Sequence, residues 1–421
     1  MTSADDAPSR LRRQLGLGDA VVVGLGAMLG AGVFAAFGPA AASAGSGLLV
    51  GLAIAAVVAY CNATSSARLA ATYPESGGTY VYGRELLGPF WGYVAGWGFV
   101  VGKTASGAAM ALTAGANLGE ERARAVAVAA VVALTVVNLL GIRKTAGVTR
   151  ALVAVVLAVL AAVVVATFAG GEASVDNLGP ITDGGWRGIL ESAGLLFFAF
   201  AGYARIATLG EEVVDPARTI PRAVPIALGI TLVVYALVGT GALLAVGPDA
   251  LAASPTPLAT AVEAGTFDRL VPVVRVGGGI AALGVLLSVV LGTSRTAFAM
   301  AANGDLPRGL AVVHPERGIP HRAVAAVGVA VTVLVLVADL RGAIGFSSFC
   351  VLAYYAIANA SALRLGGLGR RDRATAVAGL FGCCVVALTL PGASVAAGAV
   401  VLAAGALAWA ARALSRRTRR G

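Results

Sequence analysis

The sequence predicts an all-α integral membrane protein with twelve transmembrane helices. Three observations carry the prediction. Charged residues make up 12% of the 421 and hydrophobic residues 58%, where an ordinary soluble domain carries about 25% charged residues. The apolar residues come in blocks of about 20, the length an α-helix needs to cross a bilayer. The basic residues lie in short connections between blocks and favour alternate connections, the pattern that sets membrane topology. The net charge of +10 therefore reads as topology control, not as a nucleic-acid surface. The same composition excludes a soluble enzyme and a disordered chain.

Taken in order, residues 1–18 are polar, carry Arg10, Arg12 and Arg13, and lack the apolar core of a secretory signal. They read as a cytoplasmic N-terminal segment. The first block, 19–43, is apolar and glycine-rich at its centre. Block 46–69 stops at Arg68, before Tyr73-Pro74. Block 86–117 begins after Arg84 and holds Lys103. Block 125–141 lies between Arg124 and Arg143, and block 146–169 ends at Gly170-Gly171. Block 188–212 opens behind Arg187. Block 222–246 opens at Arg222 and stops at Gly247-Pro248. Block 271–301 runs from behind Arg269 to Asn303-Gly304. Block 322–338 opens at Arg322, and block 342–363 lies between Arg341 and Arg364. Block 374–392 follows Arg370, Arg371 and Arg373, and block 394–412 closes at Arg412. The tail, 413–421, is basic and suits anionic headgroups.

An even number of crossings puts both termini on one side. With that side inside, the cytoplasmic segments hold Arg143, Lys144, Arg218, Arg222, Arg370, Arg371 and most other basic residues. The outside keeps Arg122, Arg124, Arg187, Arg269 and Arg341. The positive-inside rule then makes both termini cytoplasmic. The longest connections are 170–187, 247–270 and 302–321, and the stretch from Asp249 to Gly265 has helix-compatible composition. Cys61, Cys350, Cys383 and Cys384 all fall within apolar blocks without metal-ligand spacing, so they read as packing residues. No cofactor is expected.

Two blocks carry segments that a plain membrane helix avoids. The first reads Gly24-Leu25-Gly26-Ala27-Met28-Leu29-Gly30-Ala31-Gly32-Val33-Phe34, followed by Gly38-Pro39. The sixth reads Phe197-Phe198-Ala199-Phe200-Ala201-Gly202-Tyr203. Glycine weakens a helix interior and lets another group approach the backbone. Close helix packing through small residues is the plainer explanation of such runs. Their positions add a second one. If residues 19–169 (spans 1–5) and 188–363 (spans 6–10) form inverted repeats, the two runs sit in corresponding helices. Free N–H groups at one break would then attract an anion, and free carbonyls at the other a cation. A facing pair of breaks suits a zwitterion.

Four stretches of this sequence resemble the amino acid–polyamine–organocation family of permeases. They are Gly24-Leu25-Gly26 through Gly30-Ala31-Gly32-Val33-Phe34; Tyr73-Pro74-Glu75-Ser76-Gly77-Gly78-Thr79-Tyr80; Phe198-Ala199-Phe200-Ala201-Gly202-Tyr203 running on to Leu209-Gly210-Glu211-Glu212 and Thr219-Ile220-Pro221-Arg222; and Ser294-Arg295 through Ala299-Met300-Ala301-Ala302-Asn303-Gly304-Asp305-Leu306-Pro307. They run from the first of the twelve blocks to just after the eighth. The resemblance implies a five-plus-five inverted repeat with broken helices 1 and 6, plus two additional spans at 374–412. It implies that the backbone at Gly30, Ala31 and Gly32 takes a substrate carboxylate. The carbonyls of Met28, Phe198 and Ala201, beside Gly202, would take the ammonium, and Phe198 would close over the substrate. It further implies a secondary active amino acid permease in the plasma membrane. Its partners would be a small amino acid, the lipid bilayer and, where transport is proton-coupled, protons, with the choice of monomer or homo-oligomer left open.

Two positions depart from that family. Some members carry a proton-coupling lysine in span 5, where this chain has Val156. Many carry an acidic residue two positions after the span-6 glycine, where this chain has Ala204, followed by Arg205. Lys103, near mid-span, is costly in the bilayer and should face the interior. It is a candidate for proton coupling, for substrate contact, or for hydrogen bonding at a helix break. A site with Lys103 and no carboxylate favours substrates with neutral or anionic side chains. Arg205 could pair with Glu211 or Glu212 as a gate, or snorkel to the interface. Ser288 could line the cavity facing span 1. A polyamine or organocation permease and a non-transporting amino acid sensor remain as alternatives. An intramembrane enzyme is disfavoured, because His314 and His321, the only two histidines, both fall in the cytoplasmic connection 302–321, and no HExxH motif occurs.

Overall fold

A computed structural model describes residues 15–73, 77–141, 146–207 and 212–418. The chain is helical throughout, and among the described residues the only extended pairing is an isolated bridge between Leu15 and Val213. The helices are α1 (Leu17–Met28), α2 (Ala31–Ala35), α3 (Phe37–Ala44), α4 (Leu48–Thr72), α5 (Thr79–Leu86), α6 (Pro89–Gly119), α7 (Ala123–Leu139), α8 (Ala146–Ala169) and α9 (Gly185–Phe200). They continue with α10 (Ala204–Ala207), α11 (Pro216–Ala253), α12 (Pro257–Glu263), α13 (Val271–Ala302), α14 (His321–Val337), α15 (Leu340–Ala362), α16 (Arg370–Thr389) and α17 (Gly392–Thr418).

Local chemistry sets many of the ends. Gly16 N–H donates to Asp19 Oδ2 at 3.3 Å, closing the first turn of α1. Pro89 and Pro216 open α6 and α11, where a missing N–H costs nothing. Gly88, at φ +105°, makes the turn ahead of α6. Gly247, at φ +75°, followed by Pro248, bends the end of α11. Asp339 caps α15 by accepting from Gly342 N–H at 2.6 Å. The helix-compatible stretch from Asp249 to Gly265 contains α12.

Among the described residues, nine helical stretches are long and apolar enough to cross a membrane. The sequence predicts twelve, and the difference has physical causes. One long stretch, Pro89–Leu139, runs through two predicted blocks with only a tight turn at Glu120–Arg122 between them. Another, Phe37–Thr72, joins the end of the first block to the second. The 16 residues of α9 end at an interruption, and α14 has 17.

The core is built from small residues that let backbones approach. Gly102 on α6 lies against Cys350 and Val351 of α15, and Gly107 against Val331 and Leu286. Ser106 and Ser347 share a hydrogen bond of 2.6 Å across the same α6–α15 seam. Cys61, Cys350 and Cys383 are buried and Cys384 is exposed, and all four are free thiols.

Candidate functional site

The helical ladder of α1 stops at Met28. Leu29 N–H still reaches the Leu25 carbonyl at 2.7 Å, but Leu29 leaves helical geometry at ψ 56°. Gly30 is extended, at φ −119° and ψ −144°, and its N–H turns back to the Met28 carbonyl at 2.8 Å. The chain resumes as α2 at Ala31. The sixth predicted block breaks in a different way. Here α9 ends at Phe200, residues Ala201–Tyr203 tighten into a 3₁₀ turn, and the short α10 follows. Both interruptions fall within the two stretches that the sequence singled out, around Gly30 and Gly202.

The two breaks pack directly on each other. A Cβ at Gly32 would lie 2.5 Å from Ala199 Cα, just ahead of the second break. A Cβ at Gly202 would overlap the carbonyl of Ala27, just ahead of the first. The contact is reciprocal: Gly32, just after the first break, lies against the residue before the second, and Gly202, within the second, lies against the residue before the first. Gly30 lies against Val285 of α13, so that helix closes the third side.

Tyr235, on α11, joins the two breaks chemically. Its hydroxyl donates to the Met28 carbonyl at 2.6 Å and lies 3.1 Å from the Ala199 carbonyl. Its ring meets Phe200 edge-on at 5.1 Å, and the residue is fully buried. Thr231, one turn back, faces the Met28 sulfur at 3.8 Å. Sequence reasoning missed Tyr235. The available signal was a polar aromatic in the middle of an apolar span, with Thr231 four residues before it on the same helix face.

Met28, Gly30, Ala31, Gly32, Phe198 and Ala201 are all buried, and Gly202 is partly so. The structure brings these seven expected residues together at one locus. A small cleft of about 30 Å³ borders the first break, lined by Gly26, Leu29, Val153, Val156, Ala281 and Val285 among others. Val156, in the place of a family lysine, thus contributes an apolar wall.

The remaining expected residues lie apart from this locus or face it from elsewhere. Lys103 sits mid-way along α6, between the face that meets α15 through Gly102 and the face that meets α13 through Gly107. Among the described residues, nothing forms an ion pair or hydrogen bond with it. Ser288 is exposed, and its hydroxyl turns back to the Gly284 carbonyl at 3.3 Å on its own helix. Arg205 is exposed on α10, while Glu211 lies outside the described residues.

Polar contacts close both ends of the broken helices. At one end Leu15 exchanges backbone hydrogen bonds with Glu212 and Val214, at 3.0 and 2.9 Å, and Asp19 pairs with Arg150 of α8. At the other end Arg341 of α15 donates to Glu191 of α9 at 2.7 Å and to Ser43 of α3 at 2.9 Å. Ser43 in turn donates to Glu191 at 2.9 Å.

A multi-pass helical bundle whose two interrupted helices meet break to break, enclosed at both ends, has the architecture of a membrane transporter. The family model described as amino acid permease matches residues 15–411. The chain belongs to that family, one of the amino acid–polyamine–organocation permeases. It is 62% identical to a Mycobacterium tuberculosis protein named an uncharacterized transporter, over 97% of this chain and 93% of that protein. It is 26% identical to the branched-chain amino acid permease BcaP of Bacillus subtilis, over 76% of this chain and 74% of the permease. Cationic amino acid transporter 7 of Arabidopsis thaliana is 26% identical over 84% of this chain and 66% of its own length.

Proposed function

We propose that the chain is a secondary active amino acid permease working by alternating access in the plasma membrane. Twelve crossings would put both termini in the cytoplasm, with 19–169 and 188–363 as inverted repeats and 374–412 as two added spans. The observation that carries this reading is the reciprocal contact of the two breaks, Gly32 on Ala199 and Gly202 on Ala27, held by the Tyr235 hydroxyl. Unwound backbone deep in a bilayer is tolerated where it is buried in protein or lines a cavity. A zwitterion supplies partners for both kinds of freed backbone group. In this reading the backbone at Gly30, Ala31 and Gly32 takes the carboxylate. The Ala201 carbonyl takes the ammonium, since the expected Met28 carbonyl already accepts from Gly30 N–H and the Tyr235 hydroxyl, and Phe198 closes over the substrate.

The side-chain end of the substrate is neutral or anionic. Lys103, partly buried, is the one cation on α6 and has no partner among the described residues. The family's acidic position after the span-6 glycine is Ala204 here. A cationic side chain would therefore meet repulsion with no counter-charge. Lys103 is also the candidate for coupling transport to protons. The test is uptake of individual amino acids into proteoliposomes, with a pH gradient imposed and then collapsed. The reading requires accumulation of at least one neutral or acidic amino acid, and failure with all twenty overturns it. Lys103→Ala is expected to abolish gradient-driven uptake while exchange survives, and an unchanged pH dependence would remove Lys103 from coupling.

A further inference from the structure

Behind the second break, on the side away from α1, lies a buried polar cluster that the proposed transport reading does not use. It joins α4, α15, α16 and the turn between α9 and α10. Asn359 Nδ2 donates to Asn62 Oδ1 at 2.6 Å and to the Tyr355 carbonyl at 2.9 Å. Cys383 Sγ donates to the same Asn62 oxygen at 3.2 Å. The Tyr203 ring, in the second break itself, lies 5.1 Å from Tyr355. Its hydroxyl lies beside Asn62 and Tyr355 at the margin of hydrogen-bond reach, with Cys383 close by.

Four polar atoms here lack a well-formed protein hydrogen bond: Asn62 Nδ2, Ser66 Oγ, Tyr203 Oη and Asn359 Oδ1. Asn62 and Asn359 are completely buried, Tyr203 is 1% exposed and Ser66 5%. Asn62 and Ser66 are four residues apart on α4 and share a face. Two buried amides facing each other with half of their capacity unused is an expensive arrangement in an apolar interior. The four groups supply one obligate donor, one obligate acceptor and two hydroxyls that can act either way. A buried water makes about three hydrogen bonds and needs that mixture. A bare cation does not, because the Asn62 amide donor points inward.

We propose that this cluster is an internal hydration site, in which ordered water links the Tyr203 hydroxyl at the second break to Asn62, Ser66 and Asn359. The second break is then backed by solvent on its outer side, where the first is backed by Tyr235 and protein. Water can reorganise as α10 moves, whereas a fully packed apolar backing resists motion. The site would therefore let the α9–α10 turn shift without leaving polar groups stranded.

Radiolytic footprinting read by mass spectrometry tests this on the full-length protein in nanodiscs, with no substrate needed. Side chains next to bound water oxidise even when buried. Two pairs matched in burial serve as controls: Tyr203 against Tyr235, and Cys383 against Cys350. The expected result is severalfold faster oxidation of Tyr203 and Cys383 than of their counterparts. Asn62→Leu should bring Cys383 down towards the Cys350 rate. If that variant does not fold, Ser66→Ala should lower the Cys383 rate about twofold, since one of the four anchoring groups is removed. Oxidation of Tyr203 and Cys383 no faster than Tyr235 and Cys350 overturns the proposal. So does fast Cys383 oxidation that persists unchanged in the folded variant. Either result leaves the transport reading standing, because the assay does not depend on uptake.

Discussion

At Tyr235 the ring keeps its edge against Phe200 while the hydroxyl serves two carbonyls from different helices. Tyr235→Phe keeps the ring and removes only the bridge. A buried hydrogen bond of this kind contributes about 0.5–1.5 kcal/mol. The variant is expected to melt several degrees lower in detergent and to transport about tenfold slower, which is the rate equivalent of about 1.4 kcal/mol. Wild-type melting and uptake together would show that the hydroxyl does not hold the breaks. The glycines make a second prediction. Gly32→Ala and Gly202→Ala place a methyl group into Ala199 and the Ala27 carbonyl, while Gly229→Ala and Gly292→Ala meet nothing within 4 Å. The first pair should lose transport and the second pair retain it. Equal effects across the four would mean that helix propensity matters here, not contact.

Two polar ties act at the scale of whole helices. The first joins α5, α13 and α17, and it explains two motifs that sequence reasoning could only match to a family. Asp305, 6% exposed, accepts from Tyr80 and from Arg84, both at 2.7 Å, and Asn303 donates to the Tyr80 hydroxyl at 3.0 Å. Arg412 of α17 donates to the Asp305 backbone carbonyl and lies over the Tyr93 ring at 5.7 Å. Burial first, then the Asp305 carboxylate, push the Tyr80 hydroxyl up to about 12. A raised folded-state value means that this group's stabilisation is complete below about pH 10, its ordinary range, and is lost as pH rises towards 12. Melting of the wild type should therefore fall over that interval. Tyr80→Phe should flatten that part of the profile, and an equal fall in the variant would assign the loss elsewhere. The second tie, Glu191 with Arg341 and Ser43, holds α3, α9 and α15 together. Arg341 is 43% exposed, so the pair contributes little to global stability. Glu191→Gln should instead speed amide exchange across Phe37–Ala44 while leaving the melting temperature nearly unchanged. Unchanged exchange there would remove the tie from any role in closing that end.

For the molecule as a whole, the membrane class was legible because apolar block length and charge placement are properties of composition. Both interruptions were legible too, because glycine runs such as Gly30-Ala31-Gly32 mark where a helix can stop. What the sequence could not supply was contact between distant segments. Tyr235 lies more than 200 residues from Met28, and nothing in the local pattern near Leu232 says which carbonyl its hydroxyl meets. Asn62 and Asn359 sit in spans whose apolar composition hides a buried polar pair. Ser288 shows the opposite limit: a serine placed in the right span turned its hydroxyl onto its own helix, which periodicity alone does not foresee. Helix counts suffer similarly, since Pro89–Leu139 reads as one long stretch once its turn is short. The account rests on the meeting of α1 with α2 and of α9 with α10 as the place where substrate binds. Cryo-electron microscopy of the protein with an amino acid that its proteoliposomes accumulate tests this most directly. The account predicts substrate density between Gly30–Gly32 and Ala201–Gly202, with its carboxylate on the first break and its ammonium near the Ala201 carbonyl. Density seated elsewhere in the bundle, or α1 and α9 continuing unbroken through those residues, would contradict it.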